Sequence, residues 1–151
     1  MRSEQRRPLV YLSGTITPAK EHLAWRKEVT RKLRALGISV LDPIRGKQPA
    51  DWIPSGLDAK TPTTYLHGVF VARDWRDVNR ADAVLLVFQS APLRQSIGTW
   101  TEYGWATWQG IPVVVCSTIP EVIEHPFVYR LAARVCRTLD EAIAYLAFLL
   151  S

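Results

Sequence analysis

The chain of 151 residues is the size of one domain, which excludes two large domains and leaves enough length for a single buried core. With 48% hydrophobic and 22% charged residues it has the composition of a globular protein, not of a disordered or fibrous one. Nineteen Lys and Arg against 14 Asp and Glu give +5 at pH 7, an excess that points to nucleic acid only where it gathers on one face.

In chain order, residues 1–7 form a basic N-terminal tail, with Arg2, Arg6 and Arg7 against Glu4, and residues 8–151 form the domain. The tail lacks the apolar segment of a signal peptide, and no apolar run approaches the ~18 residues that span a bilayer. A cytoplasmic protein with no membrane partner is expected. Leu9 to Ser13 reads as a buried strand closed by Gly14. The helix after Pro18 sets Trp25, Val29, Leu33 and Leu36 at spacings of three and four, and Gly37 stops it. Lys20, Arg26, Lys27, Arg31, Lys32 and Arg34, against Glu21 and Glu28, read as its solvated face, so no nucleic-acid partner is expected.

Ile38 to Leu41 is a second strand, ended by Asp42-Pro43. Residues 44–64 carry Gly46, Pro49, Pro54, Gly56 and Pro62 and read as a long irregular loop, in which Trp52 needs a ligand or partner to cover it. A helix from Tyr65 to about Arg80 precedes the buried strand Ala83 to Phe88. A loop over 89–98 leads to a helix from about Trp100 to Gln109, stopped by Gly110. Pro112 to Cys116 is a fourth strand. An irregular stretch with Pro120 and Pro126 leads to a short helix over 127–132 and a fifth strand, Arg134 to Cys136. Thr138 and Glu141 then form a capping box before the last apolar helix.

Apolar strands separated by helices imply a parallel sheet covered on both faces, an α/β three-layer sandwich with the order 2-1-3-4-5. In such sheets ligands bind beyond the carboxyl ends of the strands where the order reverses. Cys116 and Cys136 fall in predicted strands without CxxC or histidine ligand spacing, so neither a disulfide framework nor a metal site is expected. The absence of GxGxxG and Walker patterns argues against a dinucleotide or P-loop enzyme, and no cofactor is expected. Phe88-Gln89 stands where a receiver domain carries its phosphoacceptor aspartate.

Two carboxylate groups fall near the strand ends. Glu102 lies in Ser96-Ile97-Gly98-Thr99-Trp100-Thr101-Glu102, where Gly98 admits close backbone approach and a helix start favours an anion. Thr99 and Glu102 also have the spacing of a capping box, but Trp100, Tyr103, Trp105 and Trp108 would give this carboxylate an aromatic wall. Asp74 and Asp77 share one face of the preceding helix and are either solvated partners of Arg73 and Arg76 or directed at the strand ends. Two carboxylates from different elements suit glycosyl chemistry, one attacking or stabilising the anomeric centre and one protonating the leaving group. Tyr11 is a core residue whose hydroxyl could hold a carboxylate, and His22, His67 and His125 read as surface or packing residues.

Tyr11-Leu12-Ser13-Gly14, Asp74 eight residues before Asp82, and Gly98 to Ala106 with Glu102 together resemble the nucleoside 2-deoxyribosyltransferases. Leu41-Asp42-Pro43-Ile44-Arg45-Gly46-Lys47, Ser96-Ile97-Gly98-Thr99, His125-Pro126 and Thr138 to Ala142 extend the resemblance over nearly the whole chain. It implies a flavodoxin-like fold and a two-step base exchange on a 2-deoxyribonucleoside, with Glu102 as nucleophile, Asp74 as acid and base, and Tyr11 orienting Glu102. Ser13, Gly14, Arg45, Asp77, Ser96, Gly98 and Thr99 would bind substrate. The resemblance further implies deoxynucleosides and nucleobases as small-molecule partners and a homo-oligomer with shared active sites. Members acting on free nucleosides often carry aspartate where this chain has Ser96, whereas related N-glycosidases that hydrolyse deoxynucleoside 5′-monophosphates carry serine. The C-terminus, Phe148 to Ser151, lacks the aromatic, acid-rich tail of some members. Transfer is the expected reaction, nucleotide hydrolysis the alternative, and a non-enzymatic nucleotide-binding module the third reading.

Overall fold

A computed structural model describes residues 6–15, 19–45, 63–89 and 96–151; for 19–22 and 63–68 it describes the backbone alone. Five strands, β1 (Leu9–Gly14), β2 (Ser39–Leu41), β3 (Ala83–Val87), β4 (Val113–Cys116) and β5 (Arg134–Cys136), form one parallel sheet in the order β2-β1-β3-β4-β5. The helices are α1 (Ala19–Ala35), α2 (Thr63–Arg80), α3 (Ile97–Trp108), α4 (Pro120–Ile123), α5 (Pro126–Leu131) and α6 (Leu139–Leu149).

Because side chains alternate along a strand, β1 divides its residues between two cores. Val10 and Leu12 pack with Val29 and Leu33 of α1 and Leu146 of α6, while Tyr11 packs with Val78 of α2 and Tyr103 and Ala106 of α3. The expected three-layer sandwich and strand order are therefore present, and the order reverses between β1 and β3. Gly37 and Gly110, at φ +79° and +70°, end their helices in the left-handed conformation a β-carbon disfavours. The Thr138–Glu141 capping box opens α6.

Four expectations change. Pro120 opens a short helix, α4, where an irregular stretch was expected, since proline at a first helical position loses no needed donor. α3 begins at Ile97, one turn earlier than its aromatic residues indicate. Arg26 is not on a solvated face but 1% exposed. Trp108 is 89% exposed at the end of α3 and is not packed into an aromatic wall with the others. Most of the 44–64 loop, with Trp52 and Lys47, lies outside the described residues, as do the side chains of His22 and His67. Arg6 of the N-terminal tail is tied to Asp82 at 2.7 Å. Cys116 and Cys136 are buried, free thiols paired across β4 and β5. Among the described residues no helix is long and apolar enough to cross a membrane, and no His, Cys, Asp and Glu cluster is arranged to hold a metal ion.

Candidate active site

The sheet face toward α3 carries Tyr11 and Ser13, two residues apart on β1 and therefore pointing the same way. α3 lays Thr99, Tyr103 and Ala106 inward, and Glu102 stands beside them on the same face, over β1. The Tyr11 hydroxyl donates to Glu102 Oε1 at 2.8 Å, and the Ser13 hydroxyl donates to Oε2. Each carboxylate oxygen thus accepts from one neutral hydroxyl. The capping-box role is excluded: Ser96 is the N-cap of α3, and Thr99 is buried against the core.

Burial pushes the Glu102 carboxyl up to about 7, with the negative charge of Asp74 adding to the rise; the Ser13 and Tyr11 hydrogen bonds and the charge of Arg26 oppose it. Burial, then the charges of Glu102 and Asp74, hold the Tyr11 phenol far above its ordinary range, so it remains a donor. Asp74, half-buried on α2 with Arg73 Nη2 at 3.7 Å, therefore acts electrostatically on both partners of this hydrogen bond.

Asp77, one turn later, has a different environment. It is 2% exposed and pairs with Arg45 and, at 2.9 Å, with Arg80. Arg73 donates to the carbonyls of Pro43 and Arg45 at 2.5 and 2.9 Å, so α2 anchors the segment leaving β2. Arg45 and Asp77 are thus brought to each other, and not to Glu102. Ser96 is buried with its hydroxyl 3.1 Å from that of Thr15, and Gly98 is exposed in the first turn of α3. Gly14 serves packing: a β-carbon there would lie 2.5 Å from the Val87 carbonyl oxygen and 3.1 Å from the Trp25 ring.

The aromatic residues of α3 do not wall Glu102 as a group. Trp100 packs on Phe88 and Tyr103, at ring centroid distances of 5.5 and 5.7 Å, and Trp105 packs on the α2–α3 core. Trp100 and Tyr103 instead line an apolar groove of about 560 Å³ against α4 and α5. His125 caps α5 by accepting from the Phe127 amide at 3.3 Å.

Sequence reasoning missed Arg26 and Asp42 as builders of the site. Arg26 Nη1 donates to Asp42 Oδ1 at 2.9 Å, and both nitrogens reach carbonyls of β1. The signal was present in the helix period, because Arg26 falls three and seven residues before Val29 and Leu33 and so lies on the buried stripe.

Residues 7–119 match the family model described as nucleoside 2-deoxyribosyltransferase like. The chain belongs to this family. No curated protein matches the chain in sequence. Among solved structures, this family member is similar to a 2-deoxyribosyltransferase of Bacillus psychrosaccharolyticus, with TM-score 0.71 and 20% identity over 93% of this chain and 95% of that one. It is also similar to a 2-desoxiribosyltransferase of Leishmania mexicana (TM-score 0.64, 14% identity, 93% and 97% covered). A third likeness is to the CMP N-glycosidase of Clostridium botulinum (TM-score 0.54, 14% identity, 93% and 98% covered). At these identities the solved structures establish the shared flavodoxin-like fold.

Proposed function

We propose that the protein transfers a 2-deoxyribosyl group between nucleobases, with net retention, through a covalent intermediate on Glu102. A Glu102 oxygen attacks the anomeric carbon as its bond to the base nitrogen breaks, and Asp74 gives its proton to the departing base. An acceptor base then attacks the same carbon, losing its proton to Asp74 and releasing the Glu102 carboxylate. Tyr11 and Ser13 orient the nucleophile. Thr99 and Gly98 shape the start of α3, Gly14 closes β1, Ser96 meets the 5′ end of the sugar, and Arg45 and Asp77 hold the segment after β2 against the substrate. No cofactor takes part.

The observation that carries this reading is a carboxylate held by two hydroxyls, with Asp74 acting on it from another element. Family membership supports the same chemistry. The test is incubation with deoxyadenosine plus cytosine: the new nucleoside should accumulate faster than free deoxyribose. Asp74→Asn should slow this exchange about 100-fold but slow a donor with a good leaving group much less. Equal slowing of both would remove Asp74 as the acid.

A second reading, hydrolysis of deoxynucleoside 5′-monophosphates, is favoured by the Ser96–Thr15 hydroxyl pair, which presents no carboxylate to repel a phosphate. Release of base and deoxyribose 5-phosphate from a 5′-monophosphate alone, whatever the acceptor, would select it. The proposal includes a cytoplasmic homo-oligomer with shared sites, supported by the apolar groove with Phe127 and Leu131 exposed on its walls. A fully active monomer in sedimentation at micromolar concentration would remove that part.

A further inference from the structure

β2 stops short of its neighbour. Leu41, its last residue, stands opposite Tyr11, whereas β1 continues to Gly14. Carbonyls alternate in direction along a strand, and those of even-numbered β1 residues face β2, since the adjoining Pro8 carbonyl accepts from the Ser39 amide. The carbonyls of Leu12 and Gly14 therefore face a side of the sheet where the strand has ended, and a buried carbonyl left there would lack its partner.

Arg26 supplies the donors. Its Nη1 reaches the Leu12 carbonyl at 3.3 Å, and its Nη2 reaches the Gly14 carbonyl at 2.9 Å. The guanidinium also binds Asp42 and lies 4.6 Å from the Trp25 ring centroid. A planar fork can span two carbonyls of one strand, which a single ammonium cannot do in the same way. Ser13 lies between those two carbonyls, and Tyr11 lies just before them.

We propose that Arg26 is a positioning residue for Glu102: its guanidinium replaces the missing end of β2 and holds β1 where the Tyr11 and Ser13 hydroxyls meet the nucleophile. The inference rests on the reading of Glu102 as nucleophile. Charge acts in the same direction, because Arg26 favours the ionised carboxylate against burial and the charge of Asp74. Among the described residues, Tyr11 of β1 contacts Glu102 directly, Arg73 stands beside Asp74 on α2, and Asp42 shares Arg26 from the end of β2. A residue that only stabilised the fold would lower the folded fraction and leave the catalytic pH profile alone.

The experiment measures kcat and KM against pH, per folded molecule, on whichever of deoxyadenosine plus cytosine or deoxycytidine 5′-monophosphate the wild-type protein consumes. Arg26→Lys keeps the charge and loses the fork: kcat should fall about tenfold, with KM within about twofold and the acid limb unmoved. Arg26→Gln loses both, so the acid limb should also rise by about half a pH unit or more. Wild-type kcat in folded Arg26→Lys, or an unmoved limb in folded Arg26→Gln, overturns the inference. Where the Arg26 variants do not fold, Asp42→Asn decides: with its competing charge gone, the limb should move to lower pH, and an unmoved or raised limb overturns the inference. Activity in Glu102→Gln would instead remove the nucleophile reading. An inactive Glu102→Gln beside unaffected Arg26 variants sinks the Arg26 inference alone.

Discussion

Glu102 and Asp77 are both drawn out of solvent, yet their surroundings differ. Asp77 is held by two guanidinium groups, Arg45 and Arg80, and ties α2 to the end of β2. Glu102 is held by two neutral hydroxyls, and among the described residues no cation lies within ion-pair distance of it. An opposite charge satisfies a buried carboxylate and makes it scaffold. Hydroxyls fix its direction without a paired opposite charge, and such a carboxylate has more to gain by forming a bond to a carbon that is losing electrons. A perturbed acid beside a second carboxylate is the more informative functional signal.

The largest expected difference between the two is catalytic. Glu102→Ala should lower base exchange by about 1,000-fold or more in steady-state assays while the circular dichroism spectrum stays native, since only binding and positioning remain. Retention of more than about a tenth of the rate, a barrier change under roughly 1.4 kcal/mol, would refute covalent catalysis by Glu102. Asp77→Asn should show the converse pattern. We expect a loss of about 2 kcal/mol in urea unfolding, less than the 3–5 kcal/mol of a fully enclosed pair because Arg45 and Arg80 reach solvent. Its rate per folded molecule should change less than tenfold. Full stability with activity abolished would make Asp77, too, a reacting group.

Two smaller effects sharpen the contrast through pH. If ionised Glu102 attacks, the acid limb of kcat/KM should be centred near pH 7, with the rate at pH 5 about 100-fold below the top of the limb. Tyr11→Phe removes a hydrogen bond that favours the ionised form, so the limb should move to higher pH as its maximum falls about tenfold. A limb that stays put or moves down contradicts the role of Tyr11. The smallest effect is on stability. A carboxyl raised from 4.5 to about 7 on folding favours the folded state below pH 4.5 and loses that advantage as pH rises through 7. Glu102→Gln should therefore melt a few degrees higher than wild type at pH 8 and near it at pH 4. An equal difference at both pH values would show that Glu102 carries no such penalty.

Much of the fold was legible along the chain because strand and helix periods are local. Leu9–Ser13, Ala83–Val87 and the Thr138–Glu141 box each reveal themselves within a few residues. The resemblance also brought Tyr11, Asp74 and Glu102 forward as candidates. What misled was equally local. Along the sequence the aromatic residues of α3 suggest one wall, but a helix distributes them around its axis: Trp108 faces solvent and Trp105 the core. By residue type Arg26 belongs with the five other basic residues of α1, whereas its register is that of the buried stripe.

The sequence by itself therefore determined the alternating elements, the parallel sheet and the carboxylates worth testing, since apolar period, capping and turn residues act over one or two turns. Only the tertiary structure decided which carboxylate received hydroxyls and which received guanidinium groups. Those partners lie 91 residues apart for Tyr11 and Glu102 and 32 for Arg45 and Asp77. Tertiary packing also decided that Arg26 would enter the interior, because the need for it arises where β2 ends and β1 continues. That is a relation between two strands which neither strand's own residues express.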